Sequence, residues 1–223
     1  MSSTHIIFSH GFGVRADNRG LFTELSEILS GLGITTQMFD YNQYDETTKE
    51  LHAIPFSQQA QLLQSQIAQA RHAHPEARLV IIGQSQGSII PALCDLSEID
   101  TVIGVSPFFH TSMEAIMARY TKDPSNVLSL TETSRRKRSD GSTTVIPPEY
   151  WKERFGTDMI ALYNDMAQRT HVTLIYPLQD ELMTFEDFER IKGARIINLD
   201  GKHDFTKPHR QTLFQSILWE LRS

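Results

Sequence analysis

The residues best suited to chemistry in this chain form the run Gly83-Gln84-Ser85-Gln86-Gly87. The preceding Arg78–Ile82 reads as a buried parallel strand, and Ser88–Cys94 after it reads as a helix. A serine on a sharp strand-to-helix turn, with glycine two positions to either side, is a nucleophile elbow. Such a turn strains the serine backbone and lifts its hydroxyl above the sheet, while side chains at 83 and 87 would crowd neighbouring backbone. The N–H of Gln86 then faces the place where an oxyanion forms, and the new helix turns its positive end there.

A serine hydroxyl is a poor nucleophile until a base takes its proton. Neutral imidazole suits that task, and a carboxylate on its other nitrogen fixes the tautomer and stabilises the imidazolium. Candidates for these roles follow three further expected strands. His5–Ser9 leads into His10-Gly11-Phe12-Gly13, whose glycines allow close backbone approach and whose Phe12 N–H is a candidate second oxyanion donor. His171–Tyr176 leads into Pro177-Leu178-Gln179-Asp180-Glu181, and Ala194–Leu199 leads into Asp200-Gly201-Lys202-His203-Asp204. His203 is preferred to His209, which falls inside the expected last helix; for the acid, Asp180 competes with Glu181 and, less well, with Asp204. Serine, acid, histidine is the chain order of an α/β-hydrolase triad.

The elements that must position these residues alternate. Leu21, Phe22, Leu25, Ile28 and Leu29 have helical spacing, stopped by Gly31 and Gly33. A strand over Ile34–Tyr41 follows, then a Gln-rich helix over Ser57–His72 with Leu62, Leu63 and Ile67 inward. After the elbow comes a strand over Asp100–Val105. From Phe108 to Arg154 the alternation lapses: a short helix over Met113–Tyr120, a hairpin of Val127–Leu130 with Thr143–Ile146, and a helix start at Pro147-Pro148 are expected. Alternation resumes with helices over Thr157–Gln168, Thr184–Ile191 and Pro208–Leu221 between the remaining strands. About six strands with intervening helices imply a mainly parallel sheet covered on both faces, with ligands bound beyond the strand C-termini.

On His10-Gly-Phe-Gly13, Gly83-Gln-Ser-Gln-Gly87, Asp180 and Asp200-Gly-Lys-His203 the chain resembles the α/β-hydrolase superfamily over nearly its whole length. The resemblance implies Ser85 as nucleophile, His203 as base, Asp180 as its partner, and Phe12 and Gln86 as oxyanion donors. It further implies one domain in which residues 108–154 form a cap over the pocket. Phe108, Phe109, Met113 and Trp151, with Met117, are candidates for an acyl-binding wall or for ordinary packing of the insertion on the sheet. The chain opens at the family's third strand, so the sheet is expected to lack the usual leading hairpin. Gln84 stands where many family esterases have histidine, which leaves the subfamily open. The function implied is a carboxylesterase or thioesterase working on a small to medium acyl group. Amide or carbon–carbon bond hydrolysis by the same triad, or a non-catalytic binding module, are the alternatives.

Composition sets the remaining bounds. With 223 residues and 39% hydrophobic against 22% charged residues, the chain is long enough and apolar enough for one full core. A net charge of −6 argues against a general nucleic-acid binder. Arg135-Arg-Lys-Arg138 beside Ser139-Asp-Gly-Ser142 reads as a solvated hairpin end, and the insertion's small charge excess decides little about substrates. A single cysteine, Cys94, excludes an internal disulfide and reads as core. The N-terminus carries no signal-peptide pattern and no apolar run is long enough to span a bilayer, so a cytoplasmic setting is expected. No Cys/His cluster, P-loop or dinucleotide fingerprint points to a metal or organic cofactor.

Overall fold

A computed structural model of the chain describes residues 3–109, 112–182 and 185–222. Six strands form the main sheet: β1 (Thr4–Ser9), β2 (Thr35–Met38), β5 (Arg78–Gln84), β6 (Thr101–Val105), β9 (His171–Pro177) and β10 (Arg195–Leu199). They lie in the order β10-β9-β6-β5-β1-β2, every adjacent pair parallel. The inner strands are Ile/Val/Leu-rich because both faces are covered, as parallel sheets require. Alternation sorts their side chains. Ile6 and Phe8 with Val80 and Ile82 join one apolar layer, whereas Ile7 with Leu79 and Ile81 joins the other.

The first layer is closed by α1 (Leu21–Ser30), through Leu21, Phe22, Leu25 and Leu29, and by α7 (Arg210–Arg222), through Leu213, Phe214, Ile217 and Leu221. The chain leaves α1 through Gly33, whose φ of +76° suits glycine, while Ile34 N–H donates to Leu29 O. The second layer is closed by α2 (Phe56–Ala73) and α5 (Met159–Arg169). Leu62, expected to face inward, is 38% exposed, and Gln59 is buried in its place. The short α6 (Phe185–Glu189) stands between β9 and β10; Thr184, the expected first residue of that helix, lies outside the described residues.

Two further expectations need correction, and one connection carries strands that the sequence did not suggest. Ser88–Cys94 is not an α-helix but two 3-10 turns, Ser85–Ser88 and Ile90–Leu93, with Pro91 near the start of the second. Pro91 has no N–H to continue an α-helical ladder, and the chain is extended again at Cys94. The hairpin pairs β8 (Thr143–Ile146) with β7 (Ser134–Lys137) rather than with Val127–Leu130, of which Val127 makes only one bridge, to Arg135. Lastly, the connection before α2 contributes β3 (Gln43–Asp45) and β4 (Glu50–His52), and β4 runs parallel to β8. A second sheet of order β3-β4-β8-β7 therefore joins two connections far apart in sequence. With α3 (Met113–Tyr120) and α4 (Pro148–Gly156) it stands beside the strand ends where the elbow sits.

Candidate active site

The elbow forms where β5 ends. Ser85 adopts φ +52°, a left-handed conformation that side chains rarely take, so the turn stores strain at this residue. The two glycines are required by close backbone approach. A Cβ on Gly83 would sit 2.3 Å from Gly87 O, and one on Gly87 would sit 2.0 Å from Ser9 O. The turn is braced by Ser88, whose hydroxyl donates to Ser85 O at 2.5 Å and lies 2.6 Å from Tyr163 OH. Because the elbow opens into a 3-10 turn, the dipole it aims at the site is that of one short turn rather than of a full α-helix.

His203 and Asp180 reach Ser85 from the loops after β10 and β9. His203 Nε2 lies 2.9 Å from Ser85 Oγ, and His203 Nδ1 lies 2.9 Å from Asp180 Oδ2. The Asp180 side chain is 1% exposed, and its other oxygen accepts Leu182 N–H at 2.7 Å. A buried carboxylate held this way favours Nδ1–H on His203, leaving Nε2 to accept the Ser85 proton. The rival groups go elsewhere. Glu181 is exposed at the cavity wall, Asp204 pairs with Arg19 at 2.7 Å, and His209 Nδ1 lies 3.4 Å from Asp200. The His203 carbonyl is fixed by Ser106 Oγ–H at 2.6 Å, from the end of β6, with Gln84 Nε2 at 3.4 Å.

Phe12 and Gln86 flank Ser85 in the same cavity. The loop carrying Phe12 is held by His10, which is buried and satisfied on both nitrogens: Nδ1–H donates to Gly11 O at 2.9 Å, and Nε2 accepts Tyr41 N–H at 2.9 Å. Burial holds His10 below the ordinary histidine value of 6.5, outweighing the Gly11 bond and the nearby Asp40 and Asp17. Gln86 is anchored through its side chain. Its Nε2–H donates to Gln59 Oε1 at 2.9 Å, and its Oε1 accepts Tyr150 O–H at 2.5 Å. Arg154 in turn donates to Tyr150 OH at 2.9 Å. Gln59, Tyr150, Ser106 and Arg154 thus position the site without any local motif that would have marked them.

The cavity at Ser85 has a volume of about 580 Å³. Phe108 and Trp151 line it, together with Phe12 and Ile116. Phe109 and Met113 do not: Phe109 is fully buried against Tyr163 and Phe188, because it points into the sheet layer. Met117 is 51% exposed and also lies off the wall. The basic run differs from expectation as well. Arg136 and Arg138 line the cavity, whereas Arg135 pairs outward with Glu50. Arg138 donates to Thr144 Oγ1 at 2.7 Å and to Phe12 O at 3.3 Å, and the space it fills is what Gly13 leaves open. Cys94 is core, its thiol pushed up to about 12 chiefly by burial. Among the described residues no group of three or more His, Cys, Asp or Glu is placed to hold a metal ion. No helix among them is long and apolar enough to cross a membrane.

No protein-family model matches the sequence, and no curated protein matches it. Solved structures match it along nearly its whole length. Est1E from Butyrivibrio proteoclasticus with ferulic acid bound superposes with a TM-score of 0.68 at 14% identity, over 100% of this chain and 91% of that one. A monoacylglycerol lipase from Paleococcus ferrophilus gives 0.68 at 16% identity, over 99% and 96%. The thioesterase domain from the curacin biosynthetic pathway gives 0.59 at 15% identity, over 97% and 91%.

Proposed function

We propose that this chain, which has the α/β-hydrolase fold, is a serine hydrolase of carboxylic esters or thioesters with Ser85 as nucleophile. The observation that carries the reading is the unbroken hydrogen-bonded line Ser85–His203–Asp180, with 2.9 Å at each step. Ser85 Oγ attacks the substrate carbonyl while His203 Nε2 takes its proton, and Asp180 holds the resulting imidazolium. The tetrahedral oxyanion accepts from the Phe12 and Gln86 N–H groups. Its collapse breaks the bond to the alcohol or thiol, which leaves with the proton from His203, and an acyl group remains on Ser85. Water then repeats both steps with His203 as base, releasing the acid and free enzyme.

The segment 108–154 acts as the cap in this reading. The cavity wall facing the triad is built from its Phe108, Ile116, Tyr120 and Trp151, and its β7–β8 hairpin is tied to the body through β4. The partner is a small-molecule substrate that fits a cavity of about 580 Å³. Turnover of 4-nitrophenyl acetate by wild type and by Ser85→Ala tests the reading. A loss of about 10⁴-fold or more is expected, and near wild-type turnover by the variant would overturn it.

A further inference from the structure

Resting on that serine-hydrolase reading, we propose that the substrate carries an ionised oxyanion, a carboxylate or phosphate, besides the bond that is cleaved, and that Arg119, Arg136 and Arg138 receive it. The chain as a whole has a net charge of −6, yet among the described residues seven Lys/Arg side chains line the cavity at Ser85, against Glu181 and Asp204. Of these, Arg19 is paired with Asp204 at 2.7 Å and Arg210 with Glu24 at 2.6 Å. Among the described residues no ion pair engages Arg119, Arg136 or Arg138. All three are only half-exposed, so they are not a solvated face.

Like charges gathered at a partly dry wall repel one another, and a protein keeps such an arrangement at a cost in stability that a bound anion relieves. Burial first, and repulsion after it, lower the affinity of these groups for their protons. Burial, with Arg136 and Arg19 nearby, pulls Arg138 down to about 10, still protonated at neutral pH. Burial, with Arg136 and Arg154 nearby, lowers Arg119 as well, outweighing the opposite pull of Glu181 and Asp180. The acceptors that Arg138 does have, Thr144 Oγ1 and Phe12 O, are neutral.

Position links the cluster to the chemistry. Arg138 donates to the carbonyl of Phe12, whose own N–H is the proposed oxyanion donor, so its guanidinium stands at the reacting end of the cavity. The same cavity is also lined by the apolar surfaces of Phe12, Phe108, Ile116 and Trp151. One substrate can therefore meet apolar surface and guanidinium groups in a single cavity. Guanidinium forks match carboxylate and phosphate oxygens in pairs, so the shared chemistry recognised is an oxyanion rather than a neutral polar group.

Two matched pairs of substrates test this and separate the sources of the anion. The first compares the mono-4-nitrophenyl ester of glutaric acid with its neutral methyl diester. The second compares S-acetyl-4′-phosphopantetheine with S-acetylpantetheine. A preference of about 10-fold or more in kcat/KM for the charged member of at least one pair is expected, shrinking as ionic strength rises. Arg119→Gln and Arg136→Gln should each cut that preference by about 10-fold. Equal or better use of the neutral member in both pairs would overturn the proposal. If no ester or thioester is turned over at all, the serine-hydrolase reading fails instead, and thermal unfolding in glutarate or inorganic phosphate decides this one. A rise in Tm for wild type that is lost in the Arg119→Gln, Arg136→Gln double variant supports the anion site, and no rise in wild type overturns it.

Discussion

Replacing Gly87 by alanine would place a Cβ 2.0 Å from the carbonyl oxygen of Ser9 and 2.6 Å from that of His10. Both oxygens belong to backbone, and Ser9 has little room to retreat. Its hydroxyl donates to Gly87 O at 2.7 Å and sits 2.7 Å from Tyr41 OH, while β1 pairs with β5 along its length. A carbon–oxygen contact settles at about 3.3 to 3.6 Å, so the elbow and the His10–Gly13 loop must part by about 1 Å or more. That motion separates Ser85 from the Phe12 N–H, and a misplacement of this size costs roughly 10²-fold in rate. The overpacking itself costs about 1 to 3 kcal/mol, which for a chain of this length lowers Tm by about 5 °C. Steady-state kcat/KM on 4-nitrophenyl acetate and a thermal melt read the two effects, with Gly156→Ala as control because a Cβ there meets nothing within 4 Å. A Gly87→Ala protein with near wild-type kcat/KM would refute the coupling of elbow to oxyanion loop, even if its Tm had fallen.

Asp180→Asn should keep the fold and lower kcat by up to about 10⁴-fold, because an amide no longer selects the productive imidazole tautomer. Glu181→Gln should lose far less, and equal loss in the two variants would contradict the assignment; kcat on one ester settles it. Since burial lowers the His10 pKa, the unfolded chain binds its proton first as pH falls below about 6.5. Stability contributed by neutral His10 is therefore present above that value and is lost as pH drops toward the folded pKa. The Tm of wild type should fall more steeply between pH 7 and pH 5 than that of His10→Asn, and parallel curves would refute this.

The main sheet was legible because parallel strands buried on both faces are unbroken apolar runs, as Arg78–Gln84 and His171–Pro177 show. The candidate site was legible because its residues occupy loops at the same ends of those strands, where few structural demands compete with chemistry. The short strands were not. Gln43–Asp45 and Glu50–His52 have three residues each, too few to display a period, and β7 is Ser-Arg-Arg-Lys with no apolar face at all. The apolar Val127 and Leu130 suggested the wrong partner for β8, yet they are 50% and 47% exposed. With β7 in place, alternation alone separates the basic run, sending Arg136 and Arg138 to the cavity side and Arg135 outward to Glu50. The brace from Arg154 through Tyr150 to Gln86 and Gln59 joins residues up to 95 positions apart, which no local pattern can reveal.

Covalent capture tests the central claim most directly. Purified protein treated with a fluorophosphonate and digested should show one modified peptide, with the adduct on Ser85. The adduct should be absent from Ser85→Ala and should form much more slowly in His203→Ala, where no base stands 2.9 Å from the hydroxyl. An adduct that persists in Ser85→Ala, or wild-type protein left unlabelled at Ser85, would contradict the account.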